Sequence, residues 1–140
     1  MHSKIDTTFL HRCILALEKA NDTLEKYSTE DIEYDIYRSA IIKEFEIILE
    51  QSGKLLKKAI KPYFHSSKAV DRLYFKDIFR EAGNHGLLNI EEVERWCEYR
   101  DNRNYTSHDY GESLANNTLP LIKQFIIDAK NLAKVVGEKC

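Results

Sequence analysis

Between Asp31 and Lys61 the chain carries one long helical stripe. Ile36, Ala40, Ile41, Phe45, Ile48, Leu55 and Ala59 recur at helical spacing, and Pro62 stands just beyond. A stretch apolar on one side and polar on the other closes its own backbone hydrogen bonds as a helix, but must bury that side against other elements. Charge agrees with its direction. Glu30, Asp31, Glu33 and Asp35 lie at the start, and Lys54, Lys57, Lys58 and Lys61 at the end. Each charge placed this way against the helix dipole contributes about 0.3–1 kcal/mol. The four lysines share one face, which is either a solvated helix end or a surface able to meet phosphate.

The rest of the chain supplies partners for that stripe. A first helix is expected from about Asp6 to Tyr27, with Phe9, Cys13, Ala16, Ala20 and Leu24 inward. Ser66 or Ser67 can cap a third helix running through "KAVDRLYFKDIFREAG", with Val70, Leu73, Ile78 and Ala82 inward. Gly86 suits a left-handed helix stop. Asn89 with Glu92 three residues on resembles a capping box for a fourth helix. A last helix is expected from near Glu112 to Val136, carrying Leu114, Leu121, Ile122, Phe125, Ala129 and Leu132, and Pro120 should kink it or delay its regular start. Five glycines and two prolines are too few for a β-sandwich of 140 residues. The expectation is an all-α, up-and-down bundle of about five helices, residues 1–140 forming one domain.

Several function classes drop away. The formal net charge of −2 leaves no overall basic field, so any nucleic-acid contact must be local. Cys13, Cys97 and Cys140 are far apart and odd in number, which fits a reducing cytoplasm better than a disulfide framework. No signal-peptide core or bilayer-length apolar run is present. The five histidines are scattered without ligand spacing, so neither a metal nor another cofactor is expected.

One stretch breaks the pattern. In the fourth helix Ile90, Val93, Trp96 and Cys97 form an apolar stripe, and continuing it by three and four residues reaches Arg100, Asn104 and His108. Asn104 and His108 are neighbours at i, i+4. Arg103 and His108 stand about 140° apart on an ideal helix. They meet only if the helix ends between them or a second chain supplies one of them. A histidine can move protons near neutrality, and an arginine offers a charged fork to phosphate oxygens. Together they suit chemistry at a phosphodiester. Trp96, Tyr99, Tyr105 and Tyr110 can stack on bases or pack as core. The competing reading is a helix that ends at His108–Asp109, with its arginines paired to local acids such as Glu94 or Asp101.

Arg103-Asn104, three residues, then His108, with Tyr110 two positions further, resembles the signature of HEPN domains. The longer form resembles the HEPN toxins encoded beside a minimal nucleotidyltransferase antitoxin, also described as nucleotidyltransferase substrate-binding proteins. The similarity spans about Arg12 to Val136, including Trp96 ahead of the motif and the long last helix. It implies a homodimer with two motif copies across a shared cleft, so that Arg103 and His108 act in one composite site. It also implies metal-independent RNA cleavage. His108 would assist attack by the ribose 2′-hydroxyl, Arg103 would stabilise the phosphate, and Asn104 would support the arginine. Arg100, Tyr105 and Ser107 are candidate RNA or nucleotide contacts. Tyr110 matches the tyrosine that the partner nucleotidyltransferase modifies with AMP. The alternative it allows is a non-catalytic subunit that presents nucleotide or substrate to that transferase.

Overall fold

The computed structural model describes residues 5–106 and 116–137, and over them the chain is helical with no strand. α1 (Thr8–Leu24) and α2 (Ile32–Ile60) are joined by a turn in which the Asp31 carboxylate accepts from the Ser28 amide at 3.0 Å. A 3-10 turn at Lys61–Tyr63 follows, with Pro62 in its first positions. Then come α3 (Ser67–Asp71), α4 (Phe75–Asn84) and α5 (Ile90–Thr106). Helical residues 116–118 lead through a 3-10 turn at Leu119–Leu121 into α6 (Ile122–Gly137), so Pro120 delays the regular start of the last helix. The architecture is an up-and-down helical bundle. α1 packs on α2 and α6, while α4 and α5 pair and lean on α2. No helix among the described residues is long and apolar enough to cross a membrane.

Local chemistry sets the helix ends. Ser66 caps α3, its hydroxyl accepting from the Ala69 amide at 3.3 Å. Gly86 takes φ +77° after α4, a conformation that costs other residues roughly 1–2 kcal/mol. Asn89 and Glu92 close a reciprocal box, Asn89 Oδ1 accepting from the Glu92 amide at 2.8 Å and Glu92 Oε1 from the Asn89 amide at 3.1 Å.

Two expectations change. The single third helix is two, α3 and α4, separated at Arg72–Tyr74. Asp77 explains the restart, because its carboxylate accepts from the Tyr74 amide at 3.1 Å and caps α4 from within its first turn. The buried face of α1 is also turned. Leu10, Cys13, Ile14, Leu17, Ala20 and Leu24 are inside, whereas Phe9 is 56% exposed and Ala16 faces out. With apolar residues at both 9–10 and 14–17, periodicity admits two phases, and packing against α2 and α6 selects one. Ile36 and Ile90 are likewise exposed.

Candidate functional site

The site is built outward from α5. The buried positions on this helix are Glu92, Val93, Trp96, Tyr99 and Asn102, with Arg95, Arg100 and Arg103 half-buried beside them. Trp96 and Tyr99 are 0% and 1% exposed. Tyr99 meets Trp96 edge-on at 5.5 Å and Phe125 at 4.9 Å, and Phe79 stacks on Trp96 at 5.0 Å. These two rings are therefore core packing and are closed to bases, which corrects one half of the expectation for them.

A polar network that the sequence reading missed runs through this apolar core. Asp128 on α6, 2% exposed, accepts two bonds from Arg95 (Nε to Oδ2 and Nη2 to Oδ1, both 2.8 Å), one from the Tyr99 hydroxyl, and one from Gln124 Nε2 at 3.2 Å. Asn131 Nδ2, on the same side of α6, donates to Glu92 Oε2. A buried carboxylate is tolerable only when paired and saturated in this way. The signal was present in the sequence: Asp128 interrupts an otherwise apolar face, and Glu92, Arg95 and Tyr99 follow one another at helical spacing.

Burial pushes the Tyr99 hydroxyl well above the usual tyrosine range, and its bond to Asp128 adds to that effect. The bond to Asp128 holds Arg95 still more firmly charged. Because the folded Tyr99 value lies above the unfolded one, its proton contributes stability that is fully present below about pH 10 and is lost as pH rises further. Tyr99→Phe should therefore flatten the alkaline end of the stability profile. Identical profiles for the two proteins above that pH, from denaturant melts, would contradict this.

The network fixes the approach to the motif. Asn102 Nδ2 donates to Thr118 Oγ1 at 2.7 Å, and both residues are buried. The segments on either side of residues 107–115, which include His108 and Tyr110, are thus tied to each other. Arg103 comes directly after that tie. It lies four residues beyond Tyr99 and seven beyond Trp96, on the core-facing side, and its Nε is withdrawn from solvent. Arg100 sits on the flank instead, its guanidinium 5.1 Å from the centre of the Phe75 ring. Of the acids proposed as its partners, Asp101 is engaged by Lys76. The backbones of Asn104 and Tyr105 belong to the last turn of α5. Their side chains, and all of Ser107, His108 and Tyr110, lie outside the described residues. Among the described residues no three His, Cys, Asp or Glu side chains gather as a metal site.

The family model described as nucleotidyltransferase substrate binding protein like matches residues 10–137. The chain belongs to this family. The match bears out the resemblance drawn from the Arg103–Tyr110 string. A relative from Haemophilus influenzae named probable ribonuclease HepT is 27% identical over 143 aligned residues, covering 99% of this chain and 97% of the relative. The solved structure of HI0074, also from Haemophilus influenzae, superposes with a TM-score of 0.79 at 26% identity, over 94% of this chain and 98% of that one. It is described as the fold of a substrate-binding domain of a nucleotidyltransferase.

Proposed function

We propose that the protein is a HEPN ribonuclease toxin that cleaves RNA as a homodimer in the cytoplasm and is restrained by a minimal nucleotidyltransferase antitoxin. The observation that carries this reading is a full-length relative named as a ribonuclease, together with Arg103, Asn104, His108 and Tyr110 standing in this chain at the signature spacing. In the proposed reaction His108 takes the proton of a ribose 2′-hydroxyl, whose oxygen attacks the adjacent phosphorus. The 5′-oxygen of the next nucleotide leaves and takes a proton from water while His108 returns the one it accepted to solvent, giving a 2′,3′-cyclic phosphate and a 5′-hydroxyl. Arg103 stabilises the negative charge that builds on the phosphoryl oxygens, and Asn104 holds it in place. The half-buried position of Arg103 supports this role, since a partly desolvated guanidinium interacts more strongly with phosphate than one in free solvent. Addition of AMP to Tyr110 would place negative charge and bulk beside the phosphate site and repel RNA.

A second reading is favoured by the family description itself, a subunit that presents nucleotide or substrate to the transferase without cutting RNA. Incubation of the purified chain with several RNAs in EDTA separates the two. Cleavage leaving cyclic-phosphate ends is expected. Intact RNA from a folded dimer would hand the site to the presenting role. In parallel, ATP and the neighbouring transferase should add AMP mass that Tyr110→Phe loses; unchanged labelling would exclude Tyr110 as the sole acceptor.

A further inference from the structure

We propose that the lysine-rich end of the bundle, residues 54–72, contacts the phosphate backbone of single-stranded RNA and continues through Arg100 toward Arg103. The direction of this track rests on the ribonuclease reading, whereas the binding itself can be measured without any cleavage.

Charge is concentrated there against the trend of the chain. Residues 54–72 hold six Lys or Arg and one acid, Asp71, in a protein whose total charge is −2; Glu50 offsets Lys54 at 3.4 Å, Asp71 offsets Lys57 and Asp6 lies near Lys58, so the excess positive charge rests on Lys61, Lys68 and Arg72. A local field of that sign is what an RNA backbone requires of an otherwise acidic protein. The fold gathers these residues. Lys57 in α2 and Lys61 just beyond its end follow Gly53 at four-residue steps, and Asp71 at the end of α3 reaches Lys57 at 3.4 Å, which places Lys68 and Arg72 at the same end. Among the described residues, Lys61, Lys68 and Arg72 have no carboxylate within 4.0 Å. Their charge is available to an outside anion.

Two further features suit a nucleic acid. Tyr63, 41% exposed, lies flat against the His85 ring, with centroids 4.1 Å apart and planes 9° apart. An exposed pair of flat rings beside a cationic surface is a platform on which a base can stack. The basic end is also linked to the motif helix. The Phe75 ring packs so closely on Gly53 that a Cβ there would stand 3.0 Å from it, and the same ring carries the Arg100 guanidinium. One aromatic side chain thus separates the cationic face of α2 from the cation one turn before Arg103.

The test is fluorescence anisotropy with a labelled single-stranded RNA of about 20 nucleotides carrying 2′-O-methyl groups, which the proposed chemistry cannot cut. Lys61→Gln, Lys68→Gln and Arg72→Gln combined should weaken binding at least about tenfold near 0.1 M salt and reduce the slope of log affinity against log salt by about 2. Tyr63→Ala should weaken binding with no change in slope. A control triple, Lys19→Gln, Lys123→Gln and Lys134→Gln, removes the same charge from exposed sites elsewhere and should bind nearly as wild type does. Equal losses in the two triples, wild-type affinity in the first, or no RNA binding by the wild type would each overturn the proposal. Cleavage of a dinucleotide, too short to span both places, reports on the ribonuclease reading alone. It should survive the first triple. Tight binding through the lysines with no cleavage of any RNA would keep this surface and remove the catalytic reading.

Discussion

His108→Ala is expected to lower RNA cleavage by about a thousandfold or more while leaving a folded dimer, because a positioned acid–base group contributes roughly 10²–10⁴ in rate. Arg103→Ala should cost a similar factor through lost stabilisation of charge at phosphorus, about 10²–10³ for one well-placed donor. Mixing the two inactive chains is the sharper experiment. If each site takes Arg103 from one protomer and His108 from the other, a mixed dimer has one site lacking both groups and one site complete. Random exchange then restores about a quarter of wild-type activity, since half of the dimers are mixed and half of their sites are whole. If both groups act within one protomer, no mixed dimer carries a complete site and activity stays absent. Persistent cleavage by purified His108→Ala would sink the proposed role of that histidine.

Removal of Asp128 is expected to cost substantial stability without touching the motif. Asp128→Ala strips Tyr99 of its hydroxyl acceptor in a buried setting and leaves Arg95 without its two bonds. Breaking a fully buried pair costs about 3–5 kcal/mol. Arg95 retains about a third of its side-chain exposure and can turn to water, so about 2–3 kcal/mol is expected here. For a domain of this length that corresponds to a fall in Tm of roughly 10 °C. Tyr99→Phe should cost only about 1 kcal/mol, because Asp128 keeps its arginine. The double variant Arg95→Ala, Asp128→Ala should be less damaging than the sum of its single changes, since the two act as one unit. A melting temperature within a degree or two of wild type for Asp128→Ala would show that the network does not hold α5 to α6. A second consequence concerns activity. Arg103 is carried one turn beyond Tyr99, so loosening the network should lower cleavage at temperatures where the chain is still folded.

The helix ends were legible in the amino-acid sequence because the forces that set them act within three or four residues. Ser66 capping α3, Asn89 with Glu92 opening α5, Gly86 in the left-handed conformation and Pro120 delaying α6 are each a short-range hydrogen bond or a single dihedral constraint. The interruption at Arg72–Tyr74 escaped the same treatment, since it holds neither glycine nor proline and its cause, Asp77, resembles any other helix acid.

The motif was legible for a different reason. Arg103, Asn104, His108 and Tyr110 form a string whose spacing is informative in itself, and the family match over residues 10–137 agrees with it. What surrounds the motif was not. Trp96 and Tyr99 offered aromatic rings equally suited to bases or to a core, and only the arrival of Phe45, Phe79 and Phe125 from three other helices makes them core. Arg100 offered a charge equally suited to an acid or a phosphate, and the fold lays it over Phe75.

By itself, then, the order of residues determined an all-helical chain, most of its helix boundaries and the family to which it belongs. Each follows from neighbours along the chain or from a short fixed spacing. The tertiary structure alone decided which side of α1 is buried, where Arg100 lies, and that Asp128 gathers Arg95 and Tyr99 from 33 and 29 residues away. Those outcomes depend on surfaces brought together by packing. A side chain's chemistry states which partners it can accept, but only the fold determines which one it meets.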